Sequence, residues 1–108
     1  MRVIAGKYRG RTLKGPKHKG VRPTADRIKE AMFNILGAKI QGAAFLDLFA
    51  GTGGIGIEAL SRGADNVVFA DQNLLSVKLI QQNLELLHTD EKARILHLPF
   101  ERAIDLLV

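Results

Sequence analysis

Cysteine is absent from the 108 residues, and tyrosine occurs only once. The lack of cysteine excludes disulfides, thiolate metal sites and a cysteine nucleophile. It also suits a reducing compartment, so a cytoplasmic location is expected. No apolar run approaches the 18 residues a membrane span needs, and the start, Met1-Arg2-Val3-Ile4-Ala5-Gly6, is basic and lacks the apolar region of a signal peptide. There is no internal repeat and no low-complexity segment. The three histidines (His18, His88, His97) are scattered without metal-ligand spacing, so no metal is expected. What remains is ordinary for one small soluble domain, with 46% hydrophobic and 25% charged residues.

The net charge of +5 is unevenly spread. Residues 1–36 hold ten basic side chains (Arg2, Lys7, Arg9, Arg11, Lys14, Lys17, Lys19, Arg22, Arg27, Lys29) against Asp26 and Glu30, a balance of +8, and the remainder carries −3. A basic arm on a mildly acidic body fits a polyanion such as a nucleic acid backbone, or else a solvated charged face with no ligand.

Two short β-like runs, residues 2–5 and 11–13, flank Gly6-Lys7-Tyr8-Arg9-Gly10, and together they predict a basic β-hairpin. A Lys/Gly/Pro-rich loop covers 14–22. A helix then starts at Pro23-Thr24, with Thr24 as N-cap and Asp26 in its first turn. Its buried stripe is expected at Ile28, Ala31, Met32, Ile35 and Leu36, and Gly37 stops it. Beyond lie a strand at 44–49, a glycine turn, a helix at 55–62 closed by Gly63, a strand at 67–70 and a helix at about 74–87. A strand at 93–98 and the start of a helix at 101–108 follow. This β-α-β-α-β alternation predicts a parallel, Rossmann-like α/β unit. Two regions are expected: a basic hairpin and loop at 1–22, and an α/β body at 23–108.

The chemistry concentrates in Asp47-Leu48-Phe49-Ala50-Gly51-Thr52-Gly53-Gly54-Ile55-Gly56. Here a strand feeds a glycine-rich turn that opens a helix, whose free N–H groups favour an anionic or polar ligand. Gly51, Gly53 and Gly56 have the spacing of a dinucleotide-binding turn, and Asp71 ends the next strand, where an acid takes ribose hydroxyls. The pattern admits either NAD or S-adenosylmethionine. Asp47, inside the first strand, favours the latter. A buried carboxylate needs a partner, which the cofactor's ammonium supplies and a pyrophosphate does not. Alternatively, Asp47 bonds only the amides of the glycine loop. Tyr8 could stack on an RNA base or pack on its own hairpin.

The stretch Asp47–Gly53 resembles the first motif of class I methyltransferases. Its continuation Ile57-Glu58-Ala59-Leu60-Ser61-Arg62-Gly63-Ala64 resembles the bacterial 16S ribosomal RNA guanine-N2 methyltransferases of the RsmD type. So do Met1–Arg11 and the block Arg22-Pro23-Thr24-Ala25-Asp26-Arg27-Ile28-Lys29-Glu30-Ala31-Met32-Phe33-Asn34.

The resemblance covers the whole chain. It implies an S-adenosyl-L-methionine cofactor, with Arg22 and Thr24 bordering its methionine part. Asp47, Phe49, Ala50, Gly51, Thr52 and Gly53 would hold the amino-acid end, and Asp71 the ribose hydroxyls. Gln72 and Phe100 would lie near the adenine. It implies contact with ribosomal RNA or the small subunit through Arg2, Lys7, Tyr8, Arg9, Arg11, Lys14, Lys17, Arg22 and Arg27.

Two departures stand out. Where many relatives end the third strand in an acidic or small polar residue, this chain has Leu98-Pro99-Phe100-Glu101. The family's catalytic Asp/Asn-Pro-Pro-Tyr motif is also missing, since the prolines are Pro16, Pro23 and Pro99. The chain is therefore expected to hold no catalytic residue, to be inactive alone, and to expose a sheet edge through which copies could associate. Rival readings are an NAD-binding fragment, a non-catalytic RNA-binding module and a related methyltransferase acting on DNA adenine or protein glutamine.

Overall fold

The computed structural model describes residues 1–15, 23–48, 50–89 and 92–107. Its centre is a parallel sheet of β1 (Ala44–Asp47), β2 (Asn66–Ala70) and β3 (Ala93–Leu96), in that spatial order. Phe45 pairs with Val67 and Asp47 with Phe69, while Val67 pairs with Ala93 and Ala70 with Leu96. Helix α2 (Gly54–Ser61) connects β1 to β2, α3 (Leu74–Leu87) connects β2 to β3, and α4 (Phe100–Leu107) follows β3. This is the Rossmann-like unit the alternation predicts.

Local chemistry sets the helix ends. Asn73 caps α3 by accepting from the N–H groups of Leu75 and Ser76. At the other end His88 takes a left-handed conformation, and Thr89 and His88 donate to Leu84 and Glu85, a Schellman closure. Gly63 closes α2 in the same way, with Ala64 donating to Ala59.

Side chains alternate across β2. Val67 and Phe69, both fully buried, face Ile57, Ile80 and Leu84 in the main core. Val68 and Ala70 belong to a smaller cluster with Leu48, Leu96, Leu98 and Ala103. Gly56 has no room for a side chain, because a Cβ there would lie 2.2 Å from the Phe69 ring. α2 therefore rests directly on the sheet.

The first 13 residues form a hairpin held by a single bridge pair, Arg2 with Thr12, and by bonds from Val3 to Arg11, Gly10 to Val3 and Leu13 to Met1. Regular strands are not formed. Val3 and Leu13 are buried in the main core. Gly6 presses on α2 so closely that a Cβ would sit 2.0 Å from the Ser61 carbonyl oxygen.

Helix α1 (Pro23–Leu36) is followed by a 3₁₀ turn at Gly37–Ile40. It begins at Pro23, so Thr24 lies within its first turn instead of preceding it. The expected stripe is corrected in part: Met32 and Leu36 do pack against the core. Ile28 and Ile35 are 64% and 85% exposed and Ala31 is exposed, whereas Lys29 and Phe33 are buried. The rotation has an electrostatic cause. Lys29 Nζ donates to the Arg2 carbonyl at 3.0 Å and sits 3.5 Å from Glu58, and Phe33 goes inward with it.

Candidate functional site

The carboxyl ends of β1 and β2 lie side by side, and the loop Ala50–Gly53 runs between them into α2. In open parallel sheets this crevice is where ligands bind. Three backbone bonds set the loop's course: Ala50 donates to Ala70 at 3.1 Å, Gly53 to Ala50 at 2.7 Å and Ile57 to Gly53 at 2.8 Å. Gly53 caps α2 in a left-handed conformation, φ 85°. Asp71 ties the two strand ends together. One carboxylate oxygen accepts from Gly51 N at 2.9 Å and the other from Asn73 N at 2.8 Å. Each oxygen keeps a further acceptor position. Asp47 closes β1, half-buried, on the strand beside β2. The chain thus sets two carboxylates at the carboxyl ends of adjacent strands, beside a turn of backbone amides. That arrangement suits a ligand carrying both a cation and a diol.

Behind the loop sit two buried polar side chains that the sequence pattern did not mark. Asn83, fully buried on α3, accepts from Lys14 N at 2.7 Å and donates to Lys14 O at 2.9 Å and Thr52 O at 3.0 Å. It links the end of the hairpin to the glycine loop. Glu58, fully buried on α2, accepts from Ile4 N and Ala5 N at 3.0 and 3.1 Å and from Arg62 Nε at 2.8 Å. Ser61 adds bonds to Ala5 O and from Tyr8 N. Their signal was faint: a glutamate inside an otherwise apolar helix, four residues before an arginine, and an asparagine beside the apolar stripe of α3. Met1 also reaches the loop, its sulfur 3.5 Å from Thr52 Oγ1.

Residues 1–107 match the family described as Conserved hypothetical protein 95. YlbH of Bacillus subtilis is 42% identical over 104 residues, which is 96% of this chain and 56% of YlbH. Ribosomal RNA small subunit methyltransferase D of Haemophilus influenzae is 41% identical over 98 residues, covering 90% of this chain and 51% of that protein. The chain belongs to the RsmD family. Among solved structures, that of yhhF from Escherichia coli superposes with a TM-score of 0.86 at 36% identity, covering 96% of this chain and 56% of the other. The chain spans about half the length of these relatives. The fold is the class I methyltransferase form of the Rossmann-like unit, with three parallel strands among the described residues.

Of the cofactor residues expected from the RsmD resemblance, the structure gathers Asp47, Ala50, Gly51, Thr52, Gly53 and Asp71 around the crevice. Gln72 follows Asp71, exposed, and its carbonyl lies 3.0 Å from His97 Nε2. Phe100 opens α4 and is 38% exposed. Arg22 and Phe49, the side chain of Thr24, and Lys17 lie outside the described residues. Of the residues expected at RNA, Arg2, Lys7, Arg9, Arg11, Lys14 and Arg27 are exposed. The Arg11 guanidinium donates to the Leu86 carbonyl at 2.9 Å. Tyr8 is half-buried against the core, with the Lys7 ammonium 5.5 Å from its ring centroid. Among the described residues no group of histidines and acids could hold a metal ion, and no helix is long and apolar enough to cross a membrane.

Proposed function

We propose that this chain carries the cofactor-binding half of an S-adenosylmethionine-dependent methyltransferase that modifies guanine N2 in small-subunit ribosomal RNA. One observation carries the reading: Asp47 ends β1 and Asp71 directly follows the adjacent parallel β2, both beside the Ala50–Gly53 turn. Asp71 could receive a ribose diol in either cofactor, but a pyrophosphate beside Asp47 would be repelled, whereas an ammonium is what that carboxylate can receive. The residues present therefore fit S-adenosylmethionine better than NAD. Asp47 would meet the ammonium, the turn amides the cofactor's carboxylate, and Asp71 the ribose hydroxyls.

When bound, the cofactor supplies a methyl group already activated by the sulfonium. The protein's task is then alignment instead of nucleophile generation. Asp71 does part of that work before any ligand arrives, since its bond to Gly51 holds the turn in place. The exposed cations of the hairpin and of Arg27 would hold the RNA. The chain has no Pro-Pro motif, so by this reading it binds the cofactor but transfers no methyl group alone.

Isothermal titration with S-adenosylhomocysteine and with NAD tests this. Tighter binding of S-adenosylhomocysteine is expected, weakened at least tenfold in Asp71→Ala. Preference for NAD, or an Asp71→Ala protein that binds as tightly as the parent, overturns it.

A further inference from the structure

A groove of about 390 Å³ separates the hairpin from α1 and shares no residue with the glycine-loop crevice. The hairpin contributes Arg2 and Arg9 over a floor of Val3 and Ile4, and α1 contributes Asp26, Arg27 and Glu30. Asp26 and Glu30 are four residues apart, so their like charges share one helix face, which by itself is unfavourable. Three guanidinium groups line the same space. Yet among the described residues none of these five side chains makes an ion pair or a side-chain hydrogen bond.

A groove that keeps both signs of charge unpaired suits a ligand with an anion at one end and hydrogen-bond donors at the other. An unpaired nucleotide is such a ligand. Its phosphodiester meets arginine, and its base edge is free to be read only when single-stranded. Carboxylates accept and never donate when ionised. They therefore select a base that presents adjacent donors. Guanine, with its ring N–H and exocyclic amine on one edge, does so; uracil offers only a single N–H.

We infer that the groove between the hairpin and α1 binds an unpaired guanosine of RNA, with Arg2, Arg9 and Arg27 on its phosphates and Asp26 and Glu30 on its base edge. This rests on the reading of the chain as part of an RNA methyltransferase and adds a second point of contact with the substrate.

The test is fluorescence anisotropy of the chain with two labelled single-stranded RNA octamers, one all uridine and one with a single central guanosine. The parent should prefer the guanosine octamer by about tenfold. Asp26→Ala/Glu30→Ala should reduce that preference to within about twofold without weakening the uridine octamer, because only base reading is lost. Arg9→Ala/Arg27→Ala should weaken both octamers alike and lower the slope of log affinity on log salt by about one per arginine. Circular dichroism checks that these variants stay folded.

A parent without guanosine preference overturns the inference. So does a preference that survives in Asp26→Ala/Glu30→Ala, or a carboxylate-free variant that binds both octamers tighter by the same factor. Titration of the same samples with S-adenosylhomocysteine reads the proposed function separately. Cofactor binding without guanosine preference sinks only the groove, and the opposite result sinks only the methyltransferase reading.

Discussion

The two faces of the sheet are built to different depths. On one, Val67 and Phe69 meet α2, α3, Phe33 and the buried hairpin residues Val3 and Leu13, with Glu58 and Asn83 as fully buried polar ties. On the other, Ala70, Leu96 and Ala103 are the only residues buried in their cluster among the described residues. Leu46 on β1 is 41% exposed, and β1 pairs on one side alone among the described residues. Parallel sheets are normally covered on both faces. The contrast shows where the information for a stable unit is concentrated: the glycine loop and the basic arm are fastened to the deep side.

Substitutions can break that contrast. The largest effect is expected from Glu58→Ala. It frees two backbone N–H groups and leaves the buried Lys29 ammonium without its carboxylate, a loss of about 3–5 kcal/mol in urea unfolding. A loss under 1 kcal/mol would mean the tie adds little. Next is Asn83→Leu, which strands the Lys14 and Thr52 backbone groups and should cost roughly 1–3 kcal/mol by the same measurement. On the shallow side, Leu46→Lys should change stability by less than about 0.5 kcal/mol. It should also reduce the concentration-dependent self-association that an open sheet edge favours, read by sedimentation velocity. A large stability loss there would erase the contrast.

The parts of the fold that were legible in the sequence are those fixed by neighbours along the chain. The strand, glycine turn and helix around residues 44–61, the Gly63 closure and the span of α3 all follow from local periodicity and turn chemistry. The meeting of Gly51 with Asp71 was readable because a strand-turn-helix-strand unit fixes a spacing of about 20 residues between them. Helix α1 was readable as a helix but not in its orientation. Apolar periodicity selected Ile28 and Ile35, yet a carboxylate on α2 draws Lys29 inward. The roles of Glu58 and Asn83 could not be read, since the partners of Glu58 in the hairpin lie 53 and 54 residues away and that of Asn83 lies 69 away. No helical or strand period spans such distances.

Those separations also order events in time. The hairpin's backbone at Ile4 is satisfied by a group 54 positions downstream, so during synthesis it stays unsecured until α2 has been made. At typical synthesis rates of 5–20 residues per second the arm waits roughly 3–10 s for α2 to appear. Closing so long a loop is a slow step in folding. Throughout that interval the five basic side chains of residues 1–15 ride on an arm that α2 does not yet hold.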